Sequence, residues 1–247
     1  MTELRVANPW GGTCWYTPET FSTMDDARDL EARGEPGGSL VVAGYQSQGV
    51  GRHQGRNWLS APGDSLLFTV FWPASLFAVP TFAPSLVVGL GVCRWLQGLA
   101  WAASPQIALK WPNDVYLDGR KVAGILVRSR LSSTGPHSYH AGVGINLRQQ
   151  HFAGEFRQQP TSLALHGVSL SPEVALGELL PHLQAALALV DPKTACEGLL
   201  WRRGEVLSVQ VPDTGSTVVE GVVLGLDAAG GLRVATSAGE VVVNSGE

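Results

Sequence analysis

Charge is scarce in this sequence, and long apolar runs are missing. Asp, Glu, Lys and Arg make up only 15% of its 247 residues, against about a quarter in an average soluble domain. Seventeen basic residues against 21 acidic ones leave a net charge of −4, which excludes the broad basic footprint of a non-specific nucleic-acid binder. No stretch reaches the roughly 18 uninterrupted apolar residues of a membrane-spanning helix. The opening MTELRVANPWGG has neither a basic region followed by an apolar stretch nor a cleavage site, so no secretory signal is read there. Cysteine is nearly absent: Cys14, Cys93 and Cys196 lie far apart, form no CxxC pair and stand at no metal-ligand spacing from a histidine. Free thiols in a reducing cytoplasm are expected. HExxH and GxSxG are also lacking, which removes support for zinc or serine hydrolysis. His137 and His140 are expected to lie on the surface.

What remains is a well-packed globular chain, 45% hydrophobic, long enough for one large domain or an ordinary domain with an appendage. Ser22 and Thr23 before Asp25 and Asp26 read as a helix N-terminus, with a capping hydroxyl and acids at the positive end of the dipole; the helix is expected over about 23–33. SLVVAGY and DSLLFTVFW read as buried strands, and TFAPSLVVGLGVCRWLQGLAW as a core helix. IALKWPNDVYLDGRKVAGILVRSRL holds two strand-like stretches flanking a turn at Leu117–Arg120, where DG is a hairpin signal, and SYHAGVGINL is a further strand. Residues 148–160 are polar and aperiodic, a mobile loop by composition. PEVALGELLPHLQAALALV is helical, with Pro172 in its first turn. From Glu205 onward only short β-rich runs and glycine turns occur. We therefore expect one domain over residues 1–203 and a small β domain over 204–247, too small for assured independent stability.

Three stretches could carry chemistry. GVGRHQGRNW, residues 49–58, places Arg52 and Arg56 on a glycine-rich loop with Trp58 as an aromatic wall. It matches neither the dinucleotide fingerprint nor a P-loop, and no helix follows; it is a solvated hairpin or an anion clamp. KWPND, residues 110–114, is built of ordinary turn residues, but Lys110 at the end of a strand would place a compact charge in the crevice where α/β sheets bind ligands. AGVGIN, residues 141–146, puts Gly142 and Gly144 on one side of a strand by its period of two. The missing side chains leave a slot, or else allow close helix packing, and Asn146 on the same side could offer a donor and an acceptor to a heterocycle.

In this order, Ser22-Thr23, Gln46-x-x-Gly49-x-Gly51-Arg52, Gly55-Arg56-x-Trp58, KWPNDVYLDGRKVAGIL and GVGINL resemble the biotin protein ligases over about residues 20–147. KWPND followed by KxxGIL is the most specific part. The resemblance implies an α+β fold, a mixed-sheet catalytic domain related to lipoate ligases with a C-terminal SH3-like β domain. It also implies the monofunctional type, without an N-terminal DNA-binding domain. The chain departs from the family at Met24, where STN is usual, and at Val50, where GRGR is usual, and it has one residue more between Arg52 and Trp58.

The activity implied is ATP-dependent: biotin becomes biotinyl-5′-AMP and is passed to a lysine of a biotin carboxyl carrier protein. By this analogy Lys110 and Arg52 are catalytic, neutralising the carboxylate and the phosphoryl charge. Ser22, Thr23, Gln46, Gly49, Gly51, Arg52, Lys110, Gly142 and Gly144 would bind biotin. Arg52, Trp58, Lys110, Asn113 and Asn146 would bind ATP or the adenylate. Mg2+ would arrive with ATP, with no protein ligand assigned, and no prosthetic group, DNA or membrane partner is implied; homodimerisation is left open. The rival readings are a lipoate-type ligase, a non-catalytic biotin or nucleotide sensor, and a nucleic-acid module using the Arg/Trp loop.

Overall fold

The structure is a computed structural model that describes residues 1–49, 51, 58, 60–133, 135–152, 154, 156, 159–211 and 217–246. Twelve strands fall into two sheets among these residues. The larger sheet contains β1 (Thr2–Glu3), β2 (Cys14–Thr17), β3 (Leu40–Ala43), β4 (Ser65–Pro73), β5 (Ile107–Lys110), β6 (Asp114–Leu117), β7 (Arg120–Ser132) and β8 (Gly135–Asn146). Their spatial order is β1-β2-β3-β4-β8-β7-β6-β5. Only β2 and β3 pair in parallel; every other pair is antiparallel. The smaller sheet is antiparallel, with β9 (Val206–Val211), β10 (Thr217–Leu226), β11 (Leu232–Thr236) and β12 (Gly239–Val243) in the order β12-β11-β10-β9.

Both faces of the larger sheet are covered at its centre, which explains why β4 reads SLLFTVFW without polar alternation. Leu66, Phe68, Val70 and Trp72 of β4 join the main core beneath α2 (Pro84–Gln97), α3 (Pro172–Leu187) and α4 (Pro192–Glu197). Phe71 points the other way, into a small cluster with Val41 and with Ala27 and Leu30 of α1 (Thr23–Ala32). The expected helix and strands appear close to their sequence positions; β1, β2 and α4 are additional. Among the described residues of 148–160 there is no helix or strand, yet Gln149 is buried and donates to Ser65 Oγ at 2.6 Å. That part of the segment is anchored, which polarity alone does not reveal.

Helix α1 starts where Ser22, in extended backbone, caps it by accepting from the Met24 N–H. The far end of α1 is tied down by Glu31, whose carboxylate lies 3.3 Å from both Arg130 Nη1 and His140 Nε2. His140 is only 5% exposed, which corrects its expected surface position: it shares the α1 side of β8 with Gly142 and Gly144, and the helix covers it. Burial lowers its pKa, more than the nearby Glu31 raises it, and Arg130 and Arg28 act in the same lowering direction.

The small sheet packs onto the large unit through the main core, to which Val209, Val223, Leu226, Leu232, Val234 and Val243 belong. Trp111 Nε1 donates to the Gly230 carbonyl at 3.0 Å, and the Ala83 N–H donates to Ala229 O at 2.9 Å. No helix among the described residues is long and apolar enough to cross a membrane.

Candidate active site

The face of the sheet that carries α1 continues beyond the helix N-terminus as a strip bounded by three glycines. On β8 these are Gly142 and Gly144; the third is Gly124 of β7, which pairs with Gly144. A polar group sits at one end of the strip. The backbone N–H and the hydroxyl of Thr23 donate to Gln46 Oε1 at 2.7 and 2.9 Å, and Thr23 Oγ1 lies 2.8 Å from Thr69 Oγ1. Thr69 is the register partner of Gly142. Met24 fills the floor beside it, its Cε 3.0 Å from where a Gly142 side chain would begin. Gln46 is held by its bridge to Thr20, and its amide nitrogen lies against Gly49.

The other end is aromatic and cationic. The indole of Trp58 lies across Gly144, its Cε2, Cδ2 and Cζ2 at 2.8, 2.9 and 3.1 Å from the position of an added Cβ. Lys121 extends beside it over Gly124, with its ammonium 5.8 Å from the indole centroid and 2.7 Å from Asp114 Oδ1. Gly142 and Gly144 are two positions apart on β8, so the polar and cationic ends stand roughly 7 Å apart along the strand.

Lys121 was not among the residues singled out from sequence, and the reason is a bulge. Asp114 pairs with Gly124, Val115 with Ala123 and Tyr116 with Lys121, which leaves Val122 extra. Strict alternation would put Lys121 and Gly124, three apart, on opposite faces; one extra residue brings them to the same face. The available signal was the lysine of KVAGIL itself.

The other expected site residues are distributed unequally. Ser22, Thr23, Gln46, Gly49, Trp58, Gly142 and Gly144 gather around the strip, but Ser22 acts as the helix cap. Gly142 and Gly144 do not leave an open slot: Met24 and Trp58 occupy the space above them. Lys110 stands elsewhere. It ends β5, lies 5.5 Å from the Tyr116 centroid and lines a cavity of about 70 Å³ with Trp111, Trp201 and residues of β9 to β11. The Asn113 side chain donates to the Ile125 carbonyl at 2.7 Å and so joins the KWPND turn to β7. Asn146 is likewise committed, donating to Thr161 O at 2.9 Å and accepting from Gln149 at 3.2 Å; its amide faces these partners, not an open heterocycle site. Gly51 is half-buried. Arg52, Arg56, Val50, His53, Gln54 and Gly55 lie outside the described residues.

Thr161 connects the two strands behind the strip. Its N–H donates to Lys121 O at 2.8 Å, its carbonyl accepts from Asn146, and its hydroxyl lies 3.1 Å from His166 Nε2. Burial lowers the pKa of His166, opposed by Asp118 at 3.6 Å. No group of three or more metal-binding side chains occurs among the described residues.

Fold and strip together define an α+β domain that presents a hydrogen-bonding end and a cationic end on one face of its larger sheet. The chain belongs to the biotin/lipoate A/B protein ligase family, whose model matches residues 17–146; that of the biotin protein ligase C-terminal domain matches residues 208–247. The chain is 32% identical to the biotin–[acetyl-CoA-carboxylase] ligase of Paracoccus denitrificans over 238 residues, covering 92% of this chain and 96% of that one. It is also 32% identical to the bifunctional ligase/repressor BirA of Escherichia coli over 186 residues, 73% of this chain and 55% of the relative. The chain spans about half the length of the BirA relatives it matches. A solved biotin protein ligase from Aquifex aeolicus in complex with biotin and ATP superposes with a TM-score of 0.75 at 27% identity, over 95% of this chain and 96% of that one.

Proposed function

We propose that the chain is a biotin protein ligase: it activates biotin with ATP to biotinyl-5′-AMP and transfers the biotinyl group to a lysine of a biotin carboxyl carrier domain. The observation that carries this reading is the pairing of a hydrogen-bonding end, Thr23–Gln46–Thr69, with a cationic end, Lys121–Asp114, on one strip of sheet. The family membership and the match of the C-terminal segment to a biotin ligase domain support biotin over lipoate.

In the first step a biotin carboxylate oxygen attacks the α-phosphorus of ATP. The new O–P bond replaces the bond to the β-phosphate bridging oxygen, and pyrophosphate leaves. Two anions must approach, so a fixed cation is worth most here. We assign that role to Lys121, whose ammonium stands over Gly124, and not to Lys110, which faces Tyr116 and the C-terminal sheet. Arg52 remains the second proposed cation, and Mg2+ enters with the nucleotide as part of the substrate. The ureido ring of biotin would exchange hydrogen bonds with Thr23 and Gln46, with Met24 against its apolar part. Trp58 would border the nucleotide. In the second step the acceptor lysine amine attacks the biotinyl carbonyl, forming an amide and releasing AMP. Residues 1–203 would carry the chemistry and 204–247 would form the appended β domain. A cytoplasmic location follows from that acceptor.

Exchange of labelled pyrophosphate into ATP tests the first step. The expected result is exchange that depends on biotin and does not respond to lipoate. Binding of biotin without exchange would sink the ligase reading in favour of a sensor.

A further inference from the structure

We infer that Trp58 is a positioning residue for Lys121, and that Gly124 and Gly144 are glycines because the indole rests on them. This rests on the ligase reading above, which made Lys121 the reacting cation.

Neither glycine has a left-handed backbone, so backbone conformation does not demand them; the space above them does. At Gly144 the three atoms nearest to an added Cβ all belong to Trp58. At Gly124 they are Cε and Nζ of Lys121 and Cζ3 of Trp58, each at 3.1 Å. At 3.1 Å or less an alanine methyl displaces its neighbour, and the indole is a rigid plate that cannot yield by bending.

Trp58 is held at its backbone, its edge and its face. Its N–H donates to the Gly49 carbonyl at 2.9 Å. Its indole N–H points at Ser65 Oγ at 3.4 Å, a hydroxyl itself held by Gln149 at 2.6 Å. Its face lies on the two paired glycines. The Lys121 side chain is 36% exposed, a flexible stem that would otherwise sample many rotamers. The ion pair with Asp114 at 2.7 Å and the indole at 5.8 Å both restrict it. A cation placed in advance stabilises developing phosphoryl charge without reorganising during the step. The indole that covers the two glycines therefore also sets the lysine.

The test is a pair of double-mutant cycles read in biotin-dependent pyrophosphate exchange. Absence of exchange in the unmutated chain would overturn the ligase reading itself and is distinguished at that point. Given exchange, Trp58→Ala should lower kcat at saturating ATP at least tenfold while the KM for biotin changes less than threefold, and Trp58→Phe should recover most of the loss. Gly144→Ala should cost a similar factor in the unmutated chain but less than twofold in the Trp58→Ala background. Trp58→Ala should likewise add less than twofold to Lys121→Ala. Multiplicative effects in either cycle, an unchanged kcat in Trp58→Ala, or a biotin KM raised equally by Gly144→Ala in both backgrounds would overturn the inference. The lysine cycle decides the matter if Gly144→Ala does not fold.

Discussion

Lys110 and Lys121 are eleven residues apart and chemically identical, yet only Lys121 lies beside the glycine strip. Lys121→Ala is expected to slow adenylation at least about a hundredfold, the scale for removing one preorganised charge partner, whereas Lys110→Ala should cost less than about tenfold. Single-turnover formation of biotinyl-5′-AMP measures both, and the reverse ranking would restore Lys110 to the chemistry. Titration gives a second residue-scale prediction. His140 and His166 both have pKa values lowered by burial, so between the ordinary value and the lowered one the unfolded chain binds protons that the folded chain does not. Stability then falls as pH drops below about 6.5, the unperturbed histidine value. The thermal midpoint should decline from pH 7 to pH 5, and His140→Gln should flatten that decline. Thr23, Gln46, Trp58, Gly142 and Gly144, each singled out from its motif, lie around one strip of the sheet. The partners of Asn113 and Asn146 were not legible in the sequence, because an amide's hydrogen bonds depend on which carbonyls come near in three dimensions.

Elements were read well where their pattern is continuous. The α2 sequence is dense in apolar residues and the observed helix lies within the expected stretch, although Gly89 and Gly91 lower its intrinsic propensity. Packing explains them: a Cβ at Gly91 would lie 2.7 Å from Leu183 Cδ2 and 3.2 Å from the His182 carbonyl, so α2 and α3 touch there. Gly91→Ala should destabilise by about 1–3 kcal/mol through overpacking, despite alanine's helix preference. Gly177→Ala, where only Val6 Cγ1 lies within reach at 3.7 Å, should stabilise by up to about 1 kcal/mol. Urea unfolding of both variants compares the two terms directly, and equal effects would show that propensity alone governs these helices. The bulge at Val122 is the element-scale feature that sequence reading missed. Alternation has a fixed period, and a single extra residue changes the phase without any compositional mark.

At the scale of the whole molecule, the two sheets share one core, with the valines and leucines of the small sheet packed into the main cluster beside Trp111 and Leu86. Glu197 of α4 accepts from the Leu226 N–H at 2.7 Å, a further tie across the junction. Heating should therefore produce one cooperative transition, and a chain ending at Arg203 should melt at a lower temperature because that shared core is opened. Two separated calorimetric peaks would contradict this coupling. The sequence by itself determined the class of fold, the order of elements, the all-β character of the last forty or so residues and the family, because these rest on local periodicity and on motifs whose spacing survives in one dimension. Only the tertiary structure decided which lysine meets the glycine strip, that Met24 and Trp58 fill the space above Gly142 and Gly144, and that His140 is buried under α1. Those outcomes depend on register and on contacts between residues far apart in the chain, where one bulge or one covering helix reverses what a side chain faces.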